Sequence, residues 1–284
     1  MYDCIIIGTG PAGISAALTL KIRGANLLLI GPKGLSDKAG KAETVRNYPG
    51  FCGESGRELM DVMAAQLAEA EIDICDCQVS GIYPMGENFS VMCGQKMYQS
   101  ATVILACGVA APAIRGELEL VGRGVSYCAT CDGFLYRGKT IGIVCTDKKF
   151  EDEAGFLVQL AGHAYLFPLY SGCGISGENT EVIAGMPSEI SGTQRVERLT
   201  VGDRELAVDG VFFLRSSFSP SVLLSGLAME DGHICVDRMG KTSYEGCFAA
   251  GDCTGRPYQY AKAVGEGNVC AHSVLAYLRD RTKN

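Results

Sequence analysis

Residues 128–133 read CATCDG and place two cysteines, Cys128 and Cys131, at C-x-x-C spacing. This spacing brings two sulfur atoms within disulfide reach and lowers the pKa of one thiol, which makes it a nucleophile. Asp132 adds a carboxylate that can exchange a proton at each thiol exchange. Half of a zinc site has the same spacing, but the chain has no second C-x-x-C and no H-x₃-H. We therefore interpret Cys128 and Cys131 as a redox pair and expect no metal.

The chain has 14 cysteines, a high count. In a short secreted protein this would indicate a disulfide framework, but this chain is long and starts MYDCIIIGTG, without the features of an export signal. Cys75 and Cys77 have C-x-C spacing, and no cysteine run typical of an iron–sulfur cluster occurs. We therefore expect a cytoplasmic protein whose other cysteines are free thiols, mostly small buried hydrophobes.

Composition excludes several other classes. The net charge of −7 argues against nucleic acid, which selects clustered Lys and Arg. No apolar run approaches the roughly 20 residues that span a bilayer, so we expect no membrane segment.

A second motif with clear chemistry is G-x-G-x-x-G at Gly8–Gly13. It follows an apolar strand over Tyr2–Gly8 and opens a helix over about Ala12–Arg23. The first glycine allows the turn, the second lets backbone approach a pyrophosphate, and the third lets helix pack on strand. This context favours a dinucleotide site over a purely structural turn, although the next strand ends at Gly31 without the usual acidic residue.

The elements around these motifs repeat one plan. Residues 26–30 complete a first β-α-β unit, and a helix over about Gly56–Ala70 opens with Ser55 and Glu58 at capping-box spacing. A short strand covers Val103–Ala106. A second β-α-β unit comprises Thr140–Val144, Glu151–Ala161 and Ala164–Leu169. Alternation between 192 and 214 predicts a hairpin at Gly202-Asp203.

The fold prediction is therefore α/β, with two Rossmann-like three-layer domains. The smaller domain, 115–211, is inserted into a discontinuous domain formed by 1–114 and 212–284.

Ala249-Ala250-Gly251-Asp252 follows a late strand and precedes a helix that starts near Gln259 or Tyr260. Paired with Gly8–Gly13, it resembles the second FAD fingerprint of flavoproteins with two dinucleotide domains. There the aspartate binds the ribityl chain or its phosphate. The helix N-terminus would stabilise negative charge on the reduced flavin ring.

Together these stretches resemble the low-molecular-weight thioredoxin reductases. Further matches are Asn47–Gly50, Ile104–Gly108, the residues 122–126 that lead into CATCDGFLYRGK, and Ala263–Gly267. They cover the discontinuous domain and the start of the inserted one. The resemblance implies an FAD enzyme in which Cys131 lies against the flavin, Cys128 attacks the disulfide of thioredoxin and Asp132 is the acid/base.

The resemblance also implies a homodimer and a set of FAD contacts. These are Gly8, Gly10, Pro11, Ala12, Gly13, Gly31, Asn47, Val79, Ala106, Gly108, Gly251, Asp252, Gln259, Tyr260 and Ala261.

The inserted domain departs from that family at its NADPH determinants. The family has a G-x-G-x-x-A loop after the first strand of this domain and an arginine-rich run after the second. Here the corresponding residues are Cys145–Phe150, which contain no glycine, and Phe167–Gly172, which contain no arginine. Backbone approach to a phosphate and a bidentate clamp on the 2′-phosphate are both lost. We therefore expect no NADPH site.

These departures resemble the ferredoxin-dependent flavin thioredoxin reductases, in which ferredoxin passes single electrons to FAD. Thioredoxin and ferredoxin are accordingly the expected partners. Ferredoxins are acidic, and Lys33, Lys38, Lys41 and Arg46 form a basic stretch, although a solvated loop is the simpler interpretation of it.

Three alternatives stay open from the sequence. An FAD-dependent dithiol oxidase would share the flavin and the C-x-x-C but pass electrons to oxygen. A non-enzymatic flavoprotein would use the fold as a redox-sensing module. NADPH could also bind through a site that the motifs do not reveal.

Overall fold

The computed structural model describes residues 1–51, 53–109, 113–215 and 219–282, which form two compact units. The first unit takes its residues from both ends of the chain, within 1–111 and 219–284, and the second lies within 112–218. The sequence placed the return to the first domain at 212. That position falls inside a strand, Gly210–Leu214, which pairs only with strands of the second unit among the described residues. The second unit therefore extends past this strand.

Among the described residues, the N-terminal part of the first unit contains nine elements. In chain order they are β1 (Tyr2–Ile7), α1 (Pro11–Ile22), β2 (Leu27–Ile30), α2 (Asp37–Gly40), α3 (Gly56–Glu69), β3 (Ile74–Cys75), β4 (Val79–Met85), β5 (Asn88–Cys93) and β6 (Lys96–Leu105).

The second unit follows with a short strand, the helical turn that carries the redox pair, and a β-α-β unit. Its elements are β7 (Val125–Ser126), α4 (Ala129–Asp132), β8 (Thr140–Cys145), α5 (Glu151–Leu160), β9 (His163–Pro168), β10 (Thr180–Val182), β11 (Glu189–Ser191), β12 (Arg198–Val201), β13 (Arg204–Ala207) and β14 (Gly210–Leu214), with 3₁₀ turns at Gly133–Tyr136 and Lys148–Phe150.

The chain then completes the first unit. The remaining elements are α6 (Pro220–Leu223), β15 (Met229–Glu230), β16 (His233–Ile234), β17 (Cys247–Ala249), a 3₁₀ turn at Asp252–Thr254 and α7 (Tyr260–Arg281).

The sheet of the first unit has the order β3-β2-β1-β6-β5-β4, and β17 also pairs with β6. Its β3, β2, β1, β6 and β17 are parallel, whereas β4, β5 and β6 form an antiparallel meander. The long strand β6 belongs to both parts. The sequence predicted only Val103–Ala106 because the first half of β6 is mostly exposed and lacks a continuous apolar run.

The capping box of α3 is present as predicted. Ser55 Oγ accepts a hydrogen bond from the Glu58 N–H, and the Glu58 carboxylate accepts one from the Ser55 N–H. The buried face is Leu59, Met60, Met63 and Leu67, whereas Val62 is 50% exposed. The helical periodicity allows either Val62 or Met63 on this face, and the structure places Met63 in the core.

The main sheet of the second unit has five parallel strands in the order β10-β9-β8-β14-β7. Helix α5 buries Ala154, Leu157 and Val158 in one core cluster with residues of β8. A separate antiparallel sheet, β11-β12-β13, includes the predicted hairpin, and its turn residue Gly202 has φ +55°. The two Rossmann-like units of the α/β prediction are thus present.

A buried ion pair joins the two ends of the second unit. The Glu117 side chain is 0% exposed and that of Arg215 is 4% exposed, and the two form a salt bridge. Glu117 also accepts hydrogen bonds from the Tyr127 hydroxyl and the Ile114 N–H. Because a buried carboxylate is costly unless it is paired and hydrogen-bonded, these contacts hold the first and last segments of this unit in place.

One covalent link was missed. Cys77 and Cys93 form a disulfide with a Cα–Cα distance of 5.9 Å, whereas the sequence indicated free thiols here. The pairing depends on β4 and β5, which carry no strong sequence signal and were not predicted. In the part of the chain that the structure describes, no helix is both long and apolar enough to cross a bilayer.

Candidate active site

The redox pair lies where β7 turns into a short helix. Cys128 is the N-cap of α4, and its sulfur forms a disulfide with Cys131 at a Cα–Cα distance of 5.3 Å. The Cys131 backbone N–H points at Cys128 Sγ with an N–S distance of 3.2 Å. A hydrogen bond from an N–H favours the charged form of its acceptor. The local backbone would therefore stabilise a thiolate on Cys128 after reduction.

The carboxylate next to the pair is held by Ser126. Ser126 Oγ donates to Asp132 Oδ2 at 2.7 Å and accepts from the Cys128 N–H at 3.2 Å. Ser126 thus holds the Asp132 carboxylate one residue after Cys131. Ser126 was not singled out from the sequence, because only the folded turn places a hydroxyl six residues back beside this carboxylate.

The glycines of the Gly8–Gly13 turn allow very close backbone contacts. A Cβ on Gly8 would lie 2.1 Å from the Ala106 carbonyl oxygen, and Gly8 has φ +118°. A Cβ on Gly13 would lie 1.9 Å from the Gly8 carbonyl oxygen. These two glycines pack the ends of β1 and β6 and the start of α1 against one another.

Gly10 differs from its two neighbours in the motif. A Cβ on Gly10 would meet only Ser36 Cβ, at 3.8 Å, so the protein leaves open space here. Gly10 is the N-cap of α1, Pro11 and Ala12 follow in its first turn, and no described side chain caps this helix. Free N–H groups at a helix N-terminus, with room for a ligand beside them, fit a pyrophosphate.

The second fingerprint lies against the first. Gly251 has φ +88°, and a Cβ on it would be 2.9 Å from the Ala12 Cβ. Its N–H donates to Glu266 Oε2 at 2.8 Å, and Lys262 Nζ donates to its carbonyl oxygen at 2.9 Å. Asp252 follows and forms an ion pair with Lys38 at 3.3 Å. The sequence indicated Gly251 and Asp252, but the supporting Lys262–Glu266 pair was not predicted.

The N-terminus of α7 brings in a further segment. Gln259 is its N-cap, and Gln259 Oε1 accepts a hydrogen bond from Asn47 Nδ2 at 2.7 Å. The Tyr260 hydroxyl donates to the Ala39 carbonyl oxygen, and Ala261 is exposed in the first turn. No described side chain caps this helix either, so a polar ligand edge can meet its N–H groups.

The remaining candidate residues are less closely grouped. Gly31 lies beside Thr9, since a Cβ on Gly31 would be 2.9 Å from Thr9 Cγ2. Ala106 contacts Gly8 through its carbonyl group. Gly108 has φ +67° and open space around it. Val79 begins β4 opposite Cys93. Among the described residues, no hydrogen bond joins Gly108 or Val79 to the other candidates.

The corresponding turn of the second unit is filled by its own side chains. After β8, Asp147 Oδ1 accepts from the Lys149 N–H at 3.0 Å. Glu151 begins α5, and its Oε1 accepts from the Gly174 N–H and the Tyr170 hydroxyl, both at 3.0 Å. The Gly174 N–H and, more weakly, the Tyr170 hydroxyl lower the pKa of Glu151 against an opposing effect of burial. A charged carboxylate therefore lies at the helix N-terminus that would otherwise attract a phosphate.

The two β-α-β units, the paired fingerprints and the redox disulfide define a flavoprotein disulfide oxidoreductase. The model of the pyridine nucleotide-disulphide oxidoreductase family matches residues 2–145 and 179–267, and the chain belongs to this family. FAD is the cofactor of the family, and the residues of the first unit described above fit it.

Within the family, the chain is similar to thioredoxin reductases. It is 33% identical to thioredoxin reductase of Mycolicibacterium smegmatis, with 97% of this chain and 96% of that protein covered. A ferredoxin-flavin thioredoxin reductase from Clostridium acetobutylicum is 43% identical with a TM-score of 0.90, covering 100% of this chain and 99% of that one. A thioredoxin reductase from Gloeobacter violaceus is 26% identical with a TM-score of 0.77, covering 99% and 95%.

The open space at Gly10 gives a test of the pyrophosphate position. Gly10→Ala should leave the unfolding free energy of the apoprotein within about 0.5 kcal/mol, because the added Cβ meets no close atom. It should raise the Kd for FAD about tenfold, because the methyl group stands where the pyrophosphate approaches. Urea unfolding and quenching of FAD fluorescence measure the two effects.

Gly13→Ala is the matched control. Its Cβ meets backbone at 1.9 Å, so it should destabilise the apoprotein itself, by about 1–3 kcal/mol. Normal FAD affinity in Gly10→Ala would show that the pyrophosphate does not lie at this turn.

Proposed function

We propose that this chain is a thioredoxin reductase whose FAD receives its electrons from reduced ferredoxin. The observation that carries the proposal is the contrast between the two Rossmann-like turns. The turn at Gly8–Gly13 has free helix N–H groups and room beside Gly10. In the turn at Cys145–Phe150, by contrast, Asp147 accepts from the Lys149 N–H, and Glu151, the first residue of α5, accepts from Gly174 and Tyr170.

The inserted unit is poorly suited to NADPH. Asp147 and Glu151 present two carboxylates where phosphates would approach, and like charges repel. The strand β9 ends at Pro168 and continues as Leu169-Tyr170-Ser171, without the guanidinium groups that clamp a 2′-phosphate. A donor that needs no nicotinamide site is therefore required. The 43% identity to a ferredoxin-flavin thioredoxin reductase over the full chain supports ferredoxin as that donor.

When bound, FAD can accept electrons one at a time and deliver two to a disulfide. In this proposal Cys131 would be the inner sulfur, which takes up the electrons that a bound FAD would supply, and Cys128 would be the outer thiolate released when their disulfide opens. The Cys131 N–H stabilises the charge on Cys128, and Asp132, held by Ser126, exchanges the proton. Cys128 then attacks the thioredoxin disulfide, and Cys131 resolves the mixed disulfide to release the thioredoxin dithiol.

Two apolar side chains support a protein substrate. Phe134 is 58% exposed and Leu135 is 67% exposed, directly after the redox pair. Phe134 is held by an edge contact with Phe156 at 5.5 Å and by Arg137 above its ring at 5.6 Å. Exposed apolar groups next to a reactive disulfide suit a partner protein that covers them.

A cationic cluster in the first unit supports an acidic donor. Lys38 and Arg256 both lie over the Tyr258 ring, at 5.2 and 5.4 Å, and Lys38 contacts Asp252. Lys33, Lys41 and Arg46 of the predicted basic stretch are exposed. In a chain of net charge −7, this cluster next to the proposed ribityl-binding aspartate fits an acidic protein.

The relatives named above are thioredoxin reductases, which gives no support to the dithiol oxidase alternative. Homodimerisation and a cytoplasmic location stay predictions from the sequence.

Anaerobic reduction of the purified flavoprotein tests the electron donor. Reduced ferredoxin should bleach the flavin absorbance, and oxidised thioredoxin should restore it. Stoichiometric NADPH should leave the spectrum unchanged on the same timescale. Rapid bleaching by NADPH would refute the ferredoxin proposal, and bleaching by a small dithiol with turnover in oxygen would favour an oxidase.

Cys128→Ser separates the two half-reactions. The variant should still be reduced at the flavin by ferredoxin, but thioredoxin turnover should fall below about one thousandth of wild type, because the nucleophile is lost. Cys235→Ser is the control, since Cys235 is an exposed free thiol and should not affect turnover. Surviving thioredoxin turnover in Cys128→Ser would mean that Cys128 is not the outer nucleophile.

Charge reversal at Arg256 tests the ferredoxin surface. Arg256→Glu should raise the KM for ferredoxin about tenfold at low ionic strength and flatten its salt dependence, because long-range attraction is lost. The kcat and the KM for thioredoxin should not change. Arg198→Glu, a reversal on the second unit, should leave the KM for ferredoxin unaltered. Equal effects of the two reversals would show that ferredoxin does not dock at this cluster.

A further inference from the structure

The first unit contains a disulfide that the proposed reaction does not use. Cys77 and Cys93 are bonded, are 16 residues apart in sequence, and belong to a different unit from Cys128 and Cys131. Cys77 is half-buried, whereas Cys93 is 3% exposed at the end of β5. Of the two cysteines, Cys77 is therefore the one that an attacking thiol can approach from solvent, and Cys93 is covered.

Cys77 lies in the crossover 76–78, which leaves the dinucleotide edge of the sheet. The crossover starts at the carboxyl end of β3, where the Cys75 carbonyl oxygen accepts the Gly31 N–H at 3.1 Å. Gly31 in turn lies against Thr9 of the glycine turn. Ligands of such sheets bind beyond the carboxyl ends of the parallel strands. The crossover therefore borders the proposed FAD site.

The other end of the disulfide fixes this crossover to the meander. Val79, the first residue of β4, stands opposite Cys93 in the register of β4 and β5. The bond from Cys77 to Cys93 thus closes the short segment between the parallel strands and the meander. Without it, the end of this segment would be held by strand pairing and by the packing of Val79, with no covalent link.

The surroundings suit thiol exchange at this bond. Lys96 is directly opposite Cys93 in the hairpin of β5 and β6, so its side chain starts on the same face. Where its ammonium group reaches the Cys93 sulfur, it would favour the thiolate that Cys93 becomes as a leaving group. A third cysteine, Cys75, keeps a free thiol, with its sulfur 3.7 Å from the Tyr98 hydroxyl oxygen.

We propose that Cys77–Cys93 is a second redox-active disulfide of this chain, that its reductant is a protein dithiol of the thioredoxin type, and that its state controls how firmly the first unit holds FAD. The identity of the dithiol and the place of FAD rest on the proposed function.

The partner dithiol reduces the Cys77–Cys93 bond in two thiol–disulfide exchange steps. A partner thiolate attacks Cys77 Sγ and forms a mixed disulfide, and the Cys93 thiolate leaves and takes up a proton. The second partner thiol, after losing its proton, attacks the partner sulfur of the mixed disulfide and releases Cys77 as a thiolate, which is then protonated. Two electrons and two protons pass to the cysteines, and the partner becomes a disulfide.

Reduction of the bond should weaken FAD binding, because it increases the conformational freedom of the crossover. Opening the bond releases a loop that the disulfide had restrained, so the crossover beside Gly31 samples more conformations. We expect the Kd for FAD to rise about fivefold on reduction. Because coupling is reciprocal, bound FAD should make the disulfide about fivefold harder to reduce at equilibrium with the dithiol.

The test uses the full chain with Cys128→Ser and Cys131→Ser, reconstituted with FAD, so that the active-site pair cannot contribute. The protein is equilibrated with reduced thioredoxin, its thiols are blocked with N-ethylmaleimide, and peptide masses report the state of Cys77 and Cys93. FAD fluorescence gives the Kd before and after reduction. We expect the pair to be bonded before treatment and alkylated after it, with the fivefold rise in Kd.

Cys75→Ser in the same background is the matched control, since it removes a neighbouring thiol without touching the bond. Cys77→Ser should reproduce the weaker FAD binding of the reduced protein, whereas Cys75→Ser should not. Reduction of the wild-type bond provides the same comparison if the serine variant does not fold. Thioredoxin turnover is assayed separately on wild type, so a failure of the proposed function is seen there.

Two results would overturn the inference. In the first, Cys77 and Cys93 are free thiols when the protein is blocked at lysis, and they are still free after exposure to oxidised thioredoxin. This result would show that no such bond forms. A Kd for FAD that is identical in the bonded and reduced protein would show that the bond does not act on the cofactor.

Discussion

Contact between backbone atoms around Ala12 is the constraint on which the first unit depends. A Cβ on Gly267 would lie 2.1 Å from the Ala12 carbonyl oxygen, and one on Gly251 would lie 2.9 Å from the Ala12 Cβ. Only glycine allows α7 and the Gly251 turn to approach α1 this closely. The two fingerprints lie near opposite ends of the chain, and this contact brings them to one edge of the sheet. The same packing leaves the N-termini of α1 and α7 uncapped by described side chains, which is what a dinucleotide with a polar flavin edge requires.

The second unit shows how the same architecture loses a nucleotide site without losing its fold. Helix α5 still packs on β8 through Ala154 and Leu157, because this packing depends on apolar side chains and not on the turn. Residues of the turn and of the start of α5 form hydrogen bonds within the unit. Glu151 accepts from Tyr170 and Gly174, and the Tyr170 hydroxyl also lies within 3.6 Å of the Cys173 sulfur. What remains is a packed support for the redox pair, with Ser126 and Asp132 placed beside it.

Much of this arrangement could be predicted from local patterns. The strands Tyr2–Ile7 and Thr140–Cys145 contain the apolar runs 4–7 and 141–145, and α3 carries its capping box, so their types followed from the sequence. The meander was missed because β4, β5 and the first half of β6 contain no continuous apolar run, and the disulfide between Cys77 and Cys93 was missed with it. The predicted return to the first domain at 212 falls inside a strand, because an apolar strand does not reveal which sheet it joins. Gly210–Leu214 pairs with β7 and β8, and that choice is made by packing.

The sequence by itself determined the chemistry available to this protein. The C-x-x-C with its following aspartate, the two glycine fingerprints and the loss of glycine and arginine from the inserted domain are all matters of residue type and spacing. Only the tertiary structure decided which groups support that chemistry. Ser126 beside Asp132, Lys38 beside Asp252 and Glu266 on Gly251 are contacts between residues separated in the chain, and no local pattern specifies them. The physical reason is that a reactive group is defined by its residue type and by its spacing along the chain, which the sequence contains directly. Its electrostatic surroundings come from residues distant in the chain, which come together only when the core packs.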